Sequence, residues 1–144
     1  MSIDEVKAYL EKINKLDDQI ICKSKDWKRW KSIANSITAQ VTGERVQSSW
    51  AQDKSAAAVV AYLDLEAEIK ECVEQRKEII RIIEQLKGKK YRVIYGRYVL
   101  GLSFKEIAVD CGMGESWATT LHGRALVDLM EILCSKEQRN NQNK

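Results

Sequence analysis

The sequence has no proline, and six of its seven glycines fall between Gly88 and Gly123. Because these two residue types are the strongest breakers of regular structure, the first 87 residues carry only one such break, at Gly43. All-β and parallel α/β folds need many turns and are therefore disfavoured. The sequence predicts an all-α protein.

Motifs that would support catalysis or metal binding are also missing. The four cysteines are far apart, no C-x-x-C occurs and there is one histidine, so neither a zinc site nor a disulfide framework is predicted. There is no glycine-rich phosphate loop, paired-carboxylate motif or nucleophile elbow. We expect no enzymatic activity, no metal or other cofactor and no small-molecule substrate.

The remaining absences concern charge and location. With 24 basic and 21 acidic residues the net charge is only +3, which by itself gives no argument for nucleic acid. The first residues, SIDEVKAYLEKINKLDDQ, are too charged for a signal peptide, and no run approaches 18 apolar residues. We expect a cytoplasmic protein with no membrane partner.

Residues 1–37 are predicted to form an N-terminal helical arm, because Ile3, Val6, Leu10 and Ile13 lie on one helical stripe. The stripe loses register at Asp17, which favours a bend or a change of partner within residues 17–26. Further on, KSKDWKRWKS interleaves two tryptophans with five cations. These tryptophans either pack in an interface with the lysines on its wet side or stack on single-stranded bases.

A loop or linker is expected over residues 38–55, followed by a long amphipathic helix over 56–87. The helix has a heptad seam made of Tyr62, Leu65, Ile69, Cys72, Arg76, Ile79, Ile83 and Leu86. Its partner is either the N-terminal helix, as an antiparallel hairpin, or the same helix of another subunit, and both can hold together in a homo-oligomer. Arg76 either extends its charged end to solvent or pairs with a carboxylate as a register determinant.

Residues 88–134 contain three short helical patterns, separated by Gly101 and by Gly112-Met113-Gly114. Ser103 and Glu106 have the spacing of a capping box, in which Ser103 accepts from the Glu106 amide and Glu106 accepts from the Ser103 amide. The small residue Ala108 and the glycine four positions later fit a helix-turn-helix. Residues 135–144 are expected to be a disordered tail.

This module resembles region four of bacterial sigma factors. The residues that carry the resemblance are Arg97, Tyr98, Gly101, Ser103, Glu106, Ile107, Ala108, Arg124, Ala125 and Leu126. Over roughly residues 35–133 the chain is similar to phage-encoded transcriptional regulators of the ArpU type, through ERVQSS at Glu44–Ser49, the long charged helix and LHGRAL at Leu121–Leu126. The resemblance implies a DNA-binding protein of phage or prophage origin that regulates late gene transcription.

In a helix-turn-helix, the outward face at the start of the second helix enters the major groove of duplex DNA. The third pattern buries Ala118, Leu121, Ala125, Leu126 and Leu129. The residues between these positions are therefore expected to point outward, among them His122. The residues predicted to face the bases are Glu115, Ser116, Trp117, Thr119 and Thr120. Glu115 either caps its helix or accepts from a cytosine amino group. The predicted phosphate contacts are Lys89, Lys90, Arg92, Arg97, Lys105 and Arg124.

Two other functions are compatible with these patterns. A small packaging-terminase subunit also joins a helix-turn-helix to an oligomerising helical region. Alternatively, the module is a protein-interaction domain that binds host RNA polymerase, which the absence of arginine and lysine from the base-facing residues favours slightly.

Overall fold

The described part of the chain is helical throughout. A computed structural model describes the backbone of residues 1–41 and 49–144 and the side chains of residues 1–37 and 52–144. It contains five α-helices, which are α1 (Ile3–Val41), α2 (Ser49–Ile83), α3 (Lys89–Ile94), α4 (Phe104–Cys111) and α5 (Glu115–Gln142), and a π-helical segment (Tyr95–Val99) that follows α3. These residues include no strand, which confirms the all-α prediction for them.

The helix ends at the expected linker differ from the prediction. Residues 38–41 belong to α1 and residues 49–55 belong to α2, so every residue of the predicted loop whose backbone is described is helical. Residues 42–48, which include most of ERVQSS, lie outside the described residues. Alanine, glutamine and lysine favour helix even where large apolar residues are few, and no proline interrupts them. The scarcity of large apolar residues in this segment therefore does not indicate a loop.

Two other helix ends are corrected as well. α2 ends at Ile83 rather than near Lys87, and the Leu86 amide donates to the Ile83 carbonyl at 3.0 Å in the turn that follows. The expected disordered tail is helical to Gln142, because lysine, glutamate, glutamine and arginine sustain the helix. Lys136, within this extension, pairs with Glu78 at 2.6 Å.

The chain forms two compact units whose boundaries cut across both long helices. One, the C-terminal unit, consists of Met1–Lys15 and Gln75–Lys144, and the other, the hairpin unit, consists of Leu16–Glu74. This division differs from the predicted segments, which are a 1–37 arm, a 56–87 helix and an 88–134 domain. α1 is one continuous helix whose residues up to Lys15 belong to the C-terminal unit and whose residues from Leu16 belong to the hairpin unit. The bend or change of partner expected within residues 17–26 stays a prediction.

In the hairpin unit, α1 and α2 run antiparallel. Three contacts show this, because their residue numbers increase along α1 while they decrease along α2. Lys23 Nζ lies 3.0 Å from Glu68 Oε2, Trp27 Nε1 donates to Glu66 Oε1 at 3.0 Å, and Lys31 Nζ lies 4.5 Å from the centre of the Tyr62 ring. Of the two partners left open for α2, the N-terminal helix is thus observed. Self-association stays a prediction.

These contacts also bear on the KSKDWKRWKS segment. The Trp27 indole donates to Glu66 across the hairpin, and the Arg29 guanidinium lies 5.0 Å from the ring of Trp30. Lys23 forms an ion pair with Glu68, and Lys31 lies over the ring of Tyr62. The arrangement agrees with the interpretation of the tryptophans as packed residues.

The predicted seam of α2 is divided between the two units. In the hairpin unit Cys72 is buried, whereas Tyr62, Leu65 and Ile69 are half-buried. Ile79, Ile83 and Leu86 are buried in the C-terminal unit, and Arg76, also in that unit, is half-buried. A single heptad stripe therefore contributes to two cores.

The first turns of α1 are part of the C-terminal unit. Val6, Leu10 and Ile13 have no exposed surface, whereas Ile3, the first residue of the predicted stripe, is half-buried. α1 begins with a capping box, because the Glu5 amide donates to Ser2 Oγ at 3.2 Å and the Ser2 amide donates to Glu5 Oε2 at 3.0 Å. No helix of the described residues is long and apolar enough to cross a membrane.

The core of α3, α4 and α5 is compact. It consists of Val93, Ile107, Ala108, Cys111, Ala118 and Leu121, with Leu102, Phe104 and Met113 packed against it. Gly96, in the π-helical segment, approaches α4 so closely that a Cβ there would lie 3.2 Å from Ile107 Cγ1. The three short patterns predicted from the sequence therefore pack as one body.

Truncating Leu10 to alanine tests whether the first turns of α1 are part of the C-terminal unit. The side chain is fully buried, so we expect Leu10→Ala to lower the free energy of unfolding by about 2–5 kcal/mol. Urea denaturation followed by circular dichroism measures this. Leu63→Ala is the matched control, because Leu63 is 50% exposed and should lose much less. Equal losses in the two variants would contradict the assignment of residues 1–15.

Gly123 lies within α5, is exposed, and has open space where a Cβ would be. Glycine in a helix interior is less favourable than alanine, so Gly123→Ala should raise the free energy of unfolding by roughly 0.5–1 kcal/mol. Gly112→Ala is the opposing control, since Gly112 also has open space but a φ of +64°, which strains any other residue. Thermal denaturation should shift the two variants in opposite directions.

Candidate functional site

The start of α5 is positioned by α4 and the turn between them. Ser103 precedes α4 and its Oγ accepts from the Glu106 amide at 3.2 Å, as predicted. The reciprocal bond differs from the prediction, because the Ser103 hydroxyl, not its amide, donates to Glu106 Oε1 at 3.2 Å. Gly112 ends α4 in the left-handed conformation, and the Met113 amide closes the turn on the Ala108 carbonyl at 2.9 Å.

All five residues predicted to face the bases are exposed at the start of α5. They are Glu115, Ser116, Trp117, Thr119 and Thr120. The intervening core positions Ala118 and Leu121 are buried, as are Ala125, Leu126 and Leu129 further along. The helical period therefore separated buried from exposed positions correctly here, while the role of the exposed residues stays a prediction. We call these five residues the α5 face.

The two threonines of the α5 face bond to their own helix. Thr119 Oγ1 donates to the Glu115 carbonyl at 3.1 Å, and Thr120 Oγ1 donates to the Ser116 carbonyl at 3.0 Å. Each hydroxyl proton is thus used within α5. The oxygen lone pairs and the methyl groups are the parts of these side chains that remain for another molecule.

Trp117 is 45% exposed, and the guanidinium of Arg124 lies 5.2 Å from its ring centre. This distance is within the range of a cation–π interaction. The interaction orients Arg124 along the side of α5. Glu115 lies in the first turn of α5, where a negative charge is favourable, but no side chain caps the amides at Gly114.

Three of the six predicted phosphate-binding cations form ion pairs or hydrogen bonds within the protein, besides the contact of Arg124 with the Trp117 ring. Lys90 Nζ lies 2.7 Å from Asp128 Oδ2, and Arg92 contacts both the carbonyl and the carboxylate of Asp110 at 3.2 and 3.3 Å. Arg97 donates to the Leu102 carbonyl at 3.3 Å. These interactions reduce the charge available to a phosphate and could not be foreseen from a run of basic residues.

Lys89 and Lys90, together with the end of α2, line a cavity of about 600 Å³ whose α5 residues extend from Leu121 to Arg139. Lys105, at the start of α4, and Arg124 are exposed and lie on the two helices that form the turn.

His122 was expected to point outward and is instead half-buried. Its Nε2 shares a hydrogen bond of 2.8 Å with Tyr98 Oη, its ring stacks on Tyr98 at 5.7 Å, and Phe104 meets it edge-on at 5.1 Å. The guanidinium of Arg97 lies 4.7 Å from the ring centre of Phe104. His122 therefore joins the π-helical segment, α4 and α5, and it is not a surface contact.

Burial lowers the pKa of His122 to about 4, and the positive charges of Lys7 and Arg97 act in the same direction. The same burial, together with Glu11, raises the pKa of Tyr98. Both side chains are thus neutral at pH 7. The involvement of Lys7 and Glu11 shows that α1 contributes to the surroundings of this pair.

Sequence reasoning missed this aromatic pair and the capping box at Ser2. The S-x-x-E spacing of Ser2 and Glu5 is visible in the sequence and was available as a signal. The contact between Tyr98 and His122 joins residues 24 positions apart, and nothing in the local pattern indicates it.

No family model, curated protein or solved structure matches the chain.

The pH dependence of stability tests the buried state of His122. Its folded pKa is below the ordinary value of 6.5, so its contribution is complete above pH 6.5 and is lost as the pH falls toward 4. We expect a loss on the order of 1–2 kcal/mol, because one pKa unit corresponds to about 1.4 kcal/mol and partial exposure reduces the full effect. Urea denaturation between pH 7 and 5 measures it.

His122→Gln is the control, since the chain then contains no group that ordinarily titrates near pH 6.5 other than its amino terminus. The variant should show a flatter dependence over this range. A wild-type protein whose stability does not change between pH 7 and 5 would contradict the assignment.

Proposed function

We propose that the chain binds duplex DNA with the α5 face in the major groove and regulates phage or prophage transcription. The observation that carries the proposal is the geometry around Gly112. A capped α4, a tight left-handed turn and an α5 whose first exposed residues are polar match the arrangement in which a second helix enters the groove.

Electrostatics support a limited set of phosphate contacts. Lys105 and Arg124 flank the α5 face from α4 and α5, where they can anchor the backbone on either side of a groove. Lys90, Arg92 and Arg97 are already engaged within the protein. We therefore expect a weaker dependence on salt than six free cations would give.

The regulatory part of the proposal comes from the resemblance to sigma region four and to ArpU-type regulators. It predicts binding upstream of late genes in a phage or prophage genome. Purified protein is incubated with sheared DNA from its source genome, and the retained fragments are sequenced. Enrichment upstream of late genes supports a regulator, whereas enrichment beside a packaging gene favours a terminase subunit.

A second candidate is a protein-interaction module that binds RNA polymerase. The occupied cations favour it, and so do two exposed apolar side chains, since Val109 of α4 is 79% exposed and Leu100, which precedes α4, is 61% exposed. It predicts co-purification with polymerase in the absence of DNA and no retention of any duplex.

Removing one phosphate contact tests the DNA-binding geometry. Lys105→Gln should weaken binding to all duplexes alike and reduce the slope of log affinity against log salt by about 0.9. Lys136→Gln is the matched control, because Lys136 is paired with Glu78 and is remote in sequence from the turn. Fluorescence anisotropy at several salt concentrations gives both slopes. Equal slopes in the two variants would contradict the proposed orientation.

A further inference from the structure

The side chains of the α5 face have little capacity to donate hydrogen bonds. The protons of Thr119 and Thr120 are used by the carbonyls of Glu115 and Ser116, at 3.1 and 3.0 Å. Glu115 is an acceptor only when ionised. Among the residues from 115 to 123 there is no arginine or lysine, and Gly123 has no side chain.

The base pairs differ in what they offer to such a surface. In the major groove guanine presents two acceptors, N7 and O6, and recognising it requires donors, most often from arginine or lysine. Thymine presents a methyl group and adenine presents an amino donor beside its N7 acceptor. The threonine lone pairs can accept from the amino group of either adenine or cytosine and so do not distinguish the two pairs. The methyl groups of the two threonines match the thymine methyl group, and therefore an A·T pair, better than a G·C pair.

Other exposed side chains extend the apolar character of this surface. Trp117 is half exposed, with Arg124 beside its ring, and Val127 is 43% exposed at a helical spacing of seven from Thr120. An indole ring and branched methyl groups are suited to contact with the thymine methyl. Ser116 and the indole Nε1 of Trp117 can each donate one hydrogen bond, but neither side chain makes the paired contact that selects guanine.

We propose that Thr119 and Thr120 select A·T pairs by contact of their methyl groups with thymine methyl groups. The inference rests on the proposed function, since it names the bases that the α5 face reads. The hydroxyl groups hold the side chains against the helix through the bonds to Glu115 and Ser116. The methyl groups, and not the hydroxyl protons, carry the discrimination.

The probe is a duplex selected by the wild-type protein from a random 20-base-pair pool, together with a copy in which deoxyuridine replaces thymidine. This replacement removes only the 5-methyl group. We expect the selected motif to contain A·T pairs, and we expect uridine to weaken binding by about fourfold for each contacted methyl. A G·C motif, or equal affinity for the two duplexes, would overturn the inference and leave duplex binding intact.

Two double variants separate methyl from hydroxyl. Thr119→Val with Thr120→Val keeps one methyl at each original position and removes both hydroxyls, so discrimination between thymine and uracil should persist. Thr119→Ser with Thr120→Ser keeps the hydroxyls and removes the methyls, so discrimination should fall well below that of the wild-type protein. The reverse pattern would assign recognition to the hydroxyls and overturn the inference. If the wild-type protein selects no motif, the proposed function itself fails, and this inference fails with it.

Discussion

The core formed by α3, α4 and α5 is the constraint on which the rest of the C-terminal unit depends. α3 has six residues and α4 has eight, and isolated helices of this length are unstable in water. They persist because Ile107, Ala108 and Cys111 of α4 pack with Val93 of α3 against Ala118 and Leu121 of α5. The same packing determines which residues of α5 remain exposed, so the α5 face is a consequence of core burial.

The two long helices show how much a periodic pattern can predict. The stripes at Val6, Leu10 and Ile13 and at Ile79 and Ile83 were predicted as helical and are buried. Their division between two compact units was not predictable, because a heptad stripe records that a face is covered and not what covers it. The helical ends near residues 41, 49 and 142 were missed for another reason: hydrophobic periodicity fades in polar segments that still have high helix propensity.

The candidate site divides in the same way. Exposure of Ser116, Thr119 and Thr120 follows from their spacing relative to Ala118 and Leu121, and the sequence was sufficient to predict it. The ion pair of Lys90 with Asp128 joins residues 38 positions apart, so a basic run in the sequence overstated the charge available for binding. The burial of His122 was missed for the same reason, since Tyr98 and Phe104, which contact it, come from other parts of the chain.

Intramolecular hydrogen bonds determine which groups of the α5 face remain for another molecule. The hydroxyl groups of Thr119 and Thr120 stay bonded to the helix, because a carbonyl one turn back is within reach while α5 is helical. The methyl groups of these two threonines are therefore fixed features of the surface. Lys90 and Arg92 lie outside this face, and their ion pairs with Asp128 and Asp110 reduce the positive charge available to a phosphate. Selectivity that depends on shape and apolar contact should then vary less with salt than overall affinity does.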